Sequence, residues 1–193
     1  MAVNFKPSIF KELPVDSMSS YRIRSLSADD NEAMAALIRT VLGEFDADRP
    51  GFASSDPEMA DLYRAYDRPS HAYWVAVDDS GEVVGGVGIA PLEPAINGVS
   101  ELRKMYLHPK ARGQGVGRAL LTKALAYAEH HYRWCYLETL VRMDRAQALY
   151  RQAGFMSLPS PLVDTGHHGC DRWMLLEFSA DHRFSGSDDT IGG

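Results

Sequence analysis

Apolar positions along the chain follow two rhythms. At residues 21–24 Tyr-Arg-Ile-Arg alternates, which predicts a first strand. From residue 34 the spacing lengthens, and Met34, Leu37, Ile38, Val41 and Leu42 fall on one helical face. Ser27 stands where a cap belongs, and Asp29, Asp30 and Glu32 bring negative charge to that helix's first turn. A second helix is predicted over 57–66, inside the polar and acidic stretch 43–69. Residues 73–77 and 83–89 read as a hairpin closed by Asp78-Asp79-Ser80-Gly81. Gly85, Gly86 and Gly88 weaken its second strand and predict a bulge, or close approach by a helix or ligand.

After a loop at 91–98 comes the stretch 101–121. It starts as a strand carrying Leu102, Met105 and Leu107, and stops at His108-Pro109. A helix resumes at about residue 115, where Val116, Ala119, Leu120 and Ala124 recur at helical spacing. A strand at 134–139 and a short helix at 144–152 follow, the helix carrying Ala146, Leu149 and Tyr150 and closing on Gly154. Phe155 opens another strand, and 172–178 is the last. Residues 1–19 lack a period and contain Pro7 and Pro14, so they read as an N-terminal arm. Residues 181–193 read as a mobile tail rich in Gly, Ser and Asp. One α/β (α+β) domain at 20–180 remains.

Composition narrows the function. With 193 residues, 45% of them hydrophobic, the chain can bury a sizeable core as one domain. A net charge of -6 argues against a nucleic-acid partner. No stretch is apolar enough to span a bilayer, and the start lacks the apolar run of a signal peptide. Cys135 and Cys170 make no disulfide framework, which suits a reducing cytoplasm. His167, His168, Cys170 and Asp171 are metal-ligand types, but their spacing fits no zinc pattern, so no metal is expected.

The chemistry concentrates where the central strand hands over to a helix, at Arg112-Gly113-Gln114-Gly115-Val116-Gly117. Glycines let a ligand reach bare backbone, and first-turn N–H groups together with the helix dipole suit a phosphate or pyrophosphate. The chain has no Gly-Lys pair for a Walker loop, and Arg118 replaces the last glycine of a dinucleotide fingerprint. Taken alone, the six residues also fit a plain turn joining two elements. From 102 to 123 there is no Asp or Glu, while Arg103, Lys104, Lys110, Arg112, Arg118 and Lys123 are present. In an acidic chain that reversal of sign suits a ligand with several phosphate charges.

Two stretches resemble the GCN5-related N-acetyltransferase (GNAT) family. One is the R/Q-x-x-G-x-G/A loop, with Arg112, Gly115 and Gly117 in the fixed places. The other, Ala146 through Leu149-Tyr150 to Gly154-Phe155, matches A-x-x-L-Y-x-x-x-G-F. The resemblance covers about residues 21–178. It implies the GNAT fold, a mostly antiparallel but splayed mixed sheet flanked by helices. It also implies direct transfer of an acetyl group from acetyl-CoA to a primary amine of a small molecule, amino acid or peptide. In that fold the backbone of Met105, Tyr106 and Leu107 pairs with the pantetheine arm. Arg112, Gly113, Gln114, Gly115, Val116, Gly117 and Arg118 hold the pyrophosphate.

Glu101 occupies the place of a general base in some members, its alternative being a strand glutamate paired with an arginine. Tyr150 matches the general acid, its alternative being a core aromatic. Glu138 is a lesser candidate for substrate contact. Residues 43–69 and 162–173 are expected to wall the acceptor site. The acidic side chains of the first wall suit a cationic amine, but fit a solvated loop better. A non-catalytic acyl-CoA-binding module on the same fold is the other functional reading, disfavoured because Glu101 and Tyr150 are both present. The sequence does not decide whether the chain forms a homodimer.

Overall fold

Seven strands form a single sheet in the order β1-β2-β3-β4-β5-β7-β6. The computed structural model describes residues 21–178. The expected arm at 1–19 and tail at 181–193 lie outside the described residues. The strands are β1 (Tyr21–Ser25), β2 (Ala72–Asp78), β3 (Val83–Pro91), β4 (Val99–Leu107), β5 (Trp134–Thr139), β6 (Met156–Leu158) and β7 (Arg172–Glu177). The helices are α1 (Asn31–Gly43), α2 (Leu62–Tyr66), α3 (Val116–His131) and α4 (Asp144–Gln152). Every neighbouring pair of strands is antiparallel except β4 and β5.

Alternation along β2 feeds two cores. Trp74 and Ala76 pack with Leu120, Leu121, Ala124 and Leu125 of α3. Tyr73, Val75 and Val77 pack with Met34, Ile38 and Leu42 of α1 and with Tyr66 of α2. A period of two in the strand meets a period near 3.6 in each helix, so β2 is covered on both faces. The predicted apolar face of α1 is buried at all five positions. Ahead of it, Asp30 accepts from the Ser27 amide at 2.8 Å and pairs with Arg24 of β1.

Several boundaries differ from the sequence reading. The helix expected at 57–66 is broken into a 3-10 turn at Pro57–Ala60 and α2. The cause is Asp61, whose extended backbone (φ -156°) lets its carboxylate accept from the Arg64 amide and cap α2. β4 begins at Val99, two residues early. Phe155 does not start β6; it is buried against Tyr150, and the strand begins one residue later.

The glycines of β3 mark both a bulge and close approach by helices. Register breaks between Gly86, opposite Tyr106, and Gly88, opposite Arg103, so Val87 faces the extra residue of β4. That residue is in the left-handed region at Lys104, φ 49°. A Cβ on Gly88 would stand 2.6 Å from the Tyr66 ring, and one on Gly86 would stand 2.7 Å from Met34 Sδ and the Tyr73 ring. Gly88→Ala should therefore lower the urea midpoint by the equivalent of about 1–3 kcal/mol, the usual penalty of overpacking. An unchanged midpoint would show that Tyr66 moves aside freely.

Candidate active site

β4 and β5 pair in parallel only at Val99–Trp134, Ser100–Cys135 and Glu101–Tyr136. Beyond Glu101 they part. β4 stays on β3 as far as Leu107, while β5 stays on β7 as far as Thr139. The side of β4 that faced β5 is left as an open edge along Met105, Tyr106 and Leu107, where backbone groups that no strand pairs can receive an extended ligand.

A cavity of about 650 Å³ opens beside this edge. Its lining includes Met105, Tyr106, Leu107, Arg112, Gly113, Gly115, Gly117 and Arg118. Gly113 (φ 77°) and Gly115 (φ 82°) are left-handed, which costs other L-residues about 1–2 kcal/mol. A Cβ at either would meet nothing within 4 Å, so glycine is required there by backbone conformation and not by crowding. Gly115 is the N-cap of α3, whose first backbone bond runs from the Ala119 amide to the Gly115 carbonyl at 3.0 Å. The amides of Val116, Gly117 and Arg118 precede that bond and point out of the helix end.

Arg112, Gln114 and Val116 also make contacts within the protein. The Val116 side chain is buried in the core, so only its amide can face a ligand. Gln114 is exposed, bonds the Lys110 carbonyl and does not line the cavity. Arg112 grips Glu44 with two bonds of 2.7 and 2.9 Å and also bonds the Leu107 carbonyl, bracing the loop against the end of α1. The basic run at 102–123 is divided. Arg103 and Lys104 turn to the other side of β4, and Lys110 pairs with Asp78 and Glu82. Sequence reading missed Arg142 and Arg145, which line the same cavity beside Arg118. Their signal was visible as two arginines flanking the start of α4, just ahead of the Leu149-Tyr150 motif.

A second, smaller cavity of about 70 Å³ lies behind the first and is lined by Glu101, Glu138, His167 and Cys170, among others. Both cavities share Met105, Tyr106, Met143, Ala146 and Tyr150. Tyr150 therefore stands on the wall between them. Burial raises the Tyr150 phenol well above its ordinary pKa, so it keeps its proton at neutral pH.

The expected acceptor walls do meet here. Asp56 and Glu58 are only partly exposed, contrary to the expectation of a solvated loop; both bind the buried Lys104 ammonium. The bulge is the reason, because it turns Lys104 inward, and the Tyr73 hydroxyl holds its carbonyl at 2.9 Å. Glu101 is buried and pairs with Arg103 Nε at 2.6 Å. Glu138 accepts from the Tyr136 hydroxyl at 2.7 Å and from Thr165 at 3.0 Å, yet burial raises its pKa. His167 and His168 lie in the loop between β6 and β7. His167 bonds Asp56 at 2.9 Å, whereas His168 is exposed.

A parted sheet, a bare helix end and two adjoining cavities suit a transferase that moves a group from an extended anionic donor to a second substrate. A model of the acetyltransferase (GNAT) family matches residues 29–155. The chain is 43% identical over 158 residues to the uncharacterized N-acetyltransferase YjgM of Escherichia coli K12, spanning 80% of this chain and 93% of that one. It is 31% identical to the N-alpha-acetyltransferase RimI of Mycobacterium tuberculosis over 104 residues, 54% of this chain and 65% of that one. A Staphylococcus aureus GNAT-family acetyltransferase shares the fold at TM-score 0.70 and 23% identity, covering 82% of this chain and 99% of that one. So does a Sinorhizobium meliloti phosphinothricin acetyltransferase in complex with AcCoA, at TM-score 0.66 and 22% identity, covering 82% of this chain and 88% of that one. The chain belongs to the GNAT acetyltransferase family and is an acyl-CoA-dependent N-acyltransferase. Among the described residues no helix is long and apolar enough to cross a membrane.

Gly115→Val places a branched side chain at a left-handed position in the mouth of the larger cavity. Calorimetry should show coenzyme A binding weakened at least about tenfold, or 1.4 kcal/mol, with the far-ultraviolet dichroism unchanged. Undiminished affinity would remove the loop from the binding site.

Proposed function

We propose that the protein transfers the acetyl group of acetyl-CoA directly to a primary amine of a small molecule, amino acid or peptide. The observation that carries this reading is the wall that the two cavities share, formed by Met105, Tyr106, Met143, Ala146 and Tyr150. The donor lies along the open edge of β4, with its diphosphate at the amides of Val116, Gly117 and Arg118. Arg118, Arg142 and Arg145 add positive charge on that side. The acceptor amine comes from the side of Glu101, Glu138 and His167. A crystal structure of a Vibrio cholerae spermidine N-acetyltransferase in complex with CoA and spermine has the same fold at TM-score 0.59 and 19% identity, covering 82% of this chain and 96% of that one.

The chemistry has three parts. An ammonium must lose a proton before its nitrogen can attack the thioester carbonyl. A β4 amide at the open edge polarises that carbonyl as negative charge builds on its oxygen. The departing thiolate then takes a proton from the Tyr150 hydroxyl, which burial keeps protonated.

Two carboxylates compete for the amine's proton. Glu101, the expected base, has one carboxylate oxygen occupied by the Arg103 Nε–H at 2.6 Å. Glu138 is desolvated, and its raised proton affinity makes it the stronger acceptor at neutral pH. We assign the larger share of proton removal to Glu138 and give Glu101 a supporting share through its ion pair and charge.

Thiol release from acetyl-CoA against a panel of amines tests these roles. Tyr150→Phe should lower kcat by about 10²-fold or more, the scale of a lost general acid, with the acetyl-CoA KM little changed. A base acts only when deprotonated, so wild-type activity should rise with pH through a limb set above the ordinary glutamate range. Glu138→Gln should abolish that limb and cost more than Glu101→Gln. The reverse order would return the base to Glu101.

A further inference from the structure

A carboxylate stands where a helix disfavours one. Glu44 follows directly on α1 as its C-cap, and the last turn of α1 carries no basic residue. The carbonyl end of a helix is its negative pole, so a carboxylate there is repelled unless a cation meets it. The turn holds Glu44 in place, because the Phe45 and Ala47 amides both bond the Leu42 carbonyl, at 3.0 and 2.9 Å. The cation comes from 68 positions away: Arg112 Nη1 and Nη2 donate to the two Glu44 oxygens at 2.7 and 2.9 Å. A local rule broken here and compensated from a distant loop points to function.

The other side of the same guanidinium is also taken. Nε and Nη2 donate to the carbonyl of Leu107, the last residue of β4, at 3.1 and 3.0 Å. A guanidinium has five N–H donors; four are engaged inside the protein and one, on Nη1, is left. The Arg112 side chain therefore has little to offer a phosphate. It ties three pieces together instead: the end of β4, the end of α1 and the glycine loop that begins at its own backbone. Val41 and Phe45, on either side of Glu44, line the larger cavity, whereas Glu44 does not. The Glu44 carboxylate reaches that cavity through Arg112, which does line it.

We propose that Glu44 is a positioning residue for the acyl donor: it clamps Arg112 and so holds the glycine loop in its binding conformation before the donor arrives. This rests on the placement of the donor's diphosphate at the N-terminus of α3. Two effects of Glu44 oppose each other. Its negative charge beside the cavity mouth repels a polyanion, but the Arg112 and Glu44 side chains are 29% and 33% exposed, so solvent screens that repulsion. The clamp acts the other way, because a loop ordered in advance removes an entropy cost from binding. The two effects differ in sign, so removing the Glu44 carboxylate decides between them.

The test is calorimetry of coenzyme A binding to Glu44→Ala, Arg112→Ala and the double variant, with Gly115→Val alongside. Glu44→Ala should bind about threefold or more weakly than wild type, although charge alone predicts tighter binding. Arg112→Ala should lose more, about tenfold, because the bonds to Leu107 go as well. The double variant should match Arg112→Ala within about twofold, since Glu44 acts only through Arg112. Unchanged or tighter binding by Glu44→Ala overturns the inference, and so does a double variant in which the two losses multiply. If Gly115→Val is weakened while Glu44→Ala is not, this inference fails and the diphosphate keeps its place. If Gly115→Val binds as wild type, that placement fails and this inference falls with it. The Arg112 Nε–H resonance of the unaltered protein gives a reading that relies on no variant's folding. It should stay slow to exchange with water when coenzyme A binds; faster exchange in the complex means that the guanidinium has left its clamp, and is again contrary.

Discussion

The parting of β4 from β5 is the constraint on which the rest of the structure depends. Buried backbone N–H and C=O groups are almost always paired, and leaving them without partners is costly. Here three residue pairs join the strands at Val99–Trp134, Ser100–Cys135 and Glu101–Tyr136, and then the ladder stops. What stops it is visible on the opposite edge of β4. The extra residue near Lys104 bends and twists the strand while it remains bonded to β3. The open edge is tolerable because a cavity of about 650 Å³ gives water, or a ligand, access to it. An acyl-CoA's pantetheine arm carries amides, so it can replace that water with hydrogen bonds of the kind the neighbouring strand would have made.

The bulge does a second thing. It places a non-glycine residue in a left-handed conformation, which the surroundings must over-determine. The Lys104 carbonyl is held by Tyr73 and its ammonium by Asp56 and Glu58. Breaking a buried ion pair by removing one partner typically costs about 3–5 kcal/mol, more than the left-handed penalty of about 1–2 kcal/mol, so the ion pairs decide the conformation once formed. The same ion pairs draw the segment before α2 over the acceptor end. The kink that opens the donor groove and the contact that closes the acceptor pocket therefore share one residue.

Much of this was legible in the chain because it is local. Helix faces, the hairpin, the glycine loop and the tyrosine motif are set by spacing over a few residues, and α4 and β5 have the bounds that spacing predicts. What could not be read was pairing between distant segments. Asp56 and Glu58 look like solvated loop carboxylates until Lys104 turns inward, 48 and 46 positions away. For Glu101 the two readings were a base and a strand glutamate paired with an arginine, and Arg103, two residues on, does bond it. In a regular strand residues two apart share a face, so that pair could have been anticipated from alternation. Arg142 and Arg145 were missed for a different reason: the basic run at 102–123 was read as one patch, whereas β4 delivers its first two members to the opposite side.

The two ends of the site recognise their ligands by different physics, and this bears on how the family fold accommodates different acceptors. At the proposed donor end the groups on offer are main-chain amides at a helix terminus and a strand edge with no neighbouring strand, beside the left-handed Gly113 and Gly115. Such contacts depend on backbone path and change little when side chains are substituted. At the proposed acceptor end the polar side chains come from four separate segments: 53–60, β4, β5 and the loop between β6 and β7. A single substitution there alters charge without disturbing the groove. Fold likeness at TM-score 0.59 to 0.70 with identity of 23% or less carries the fold alone and leaves the acceptor to be read from side chains such as Asp56, Glu138 and His167 in this chain.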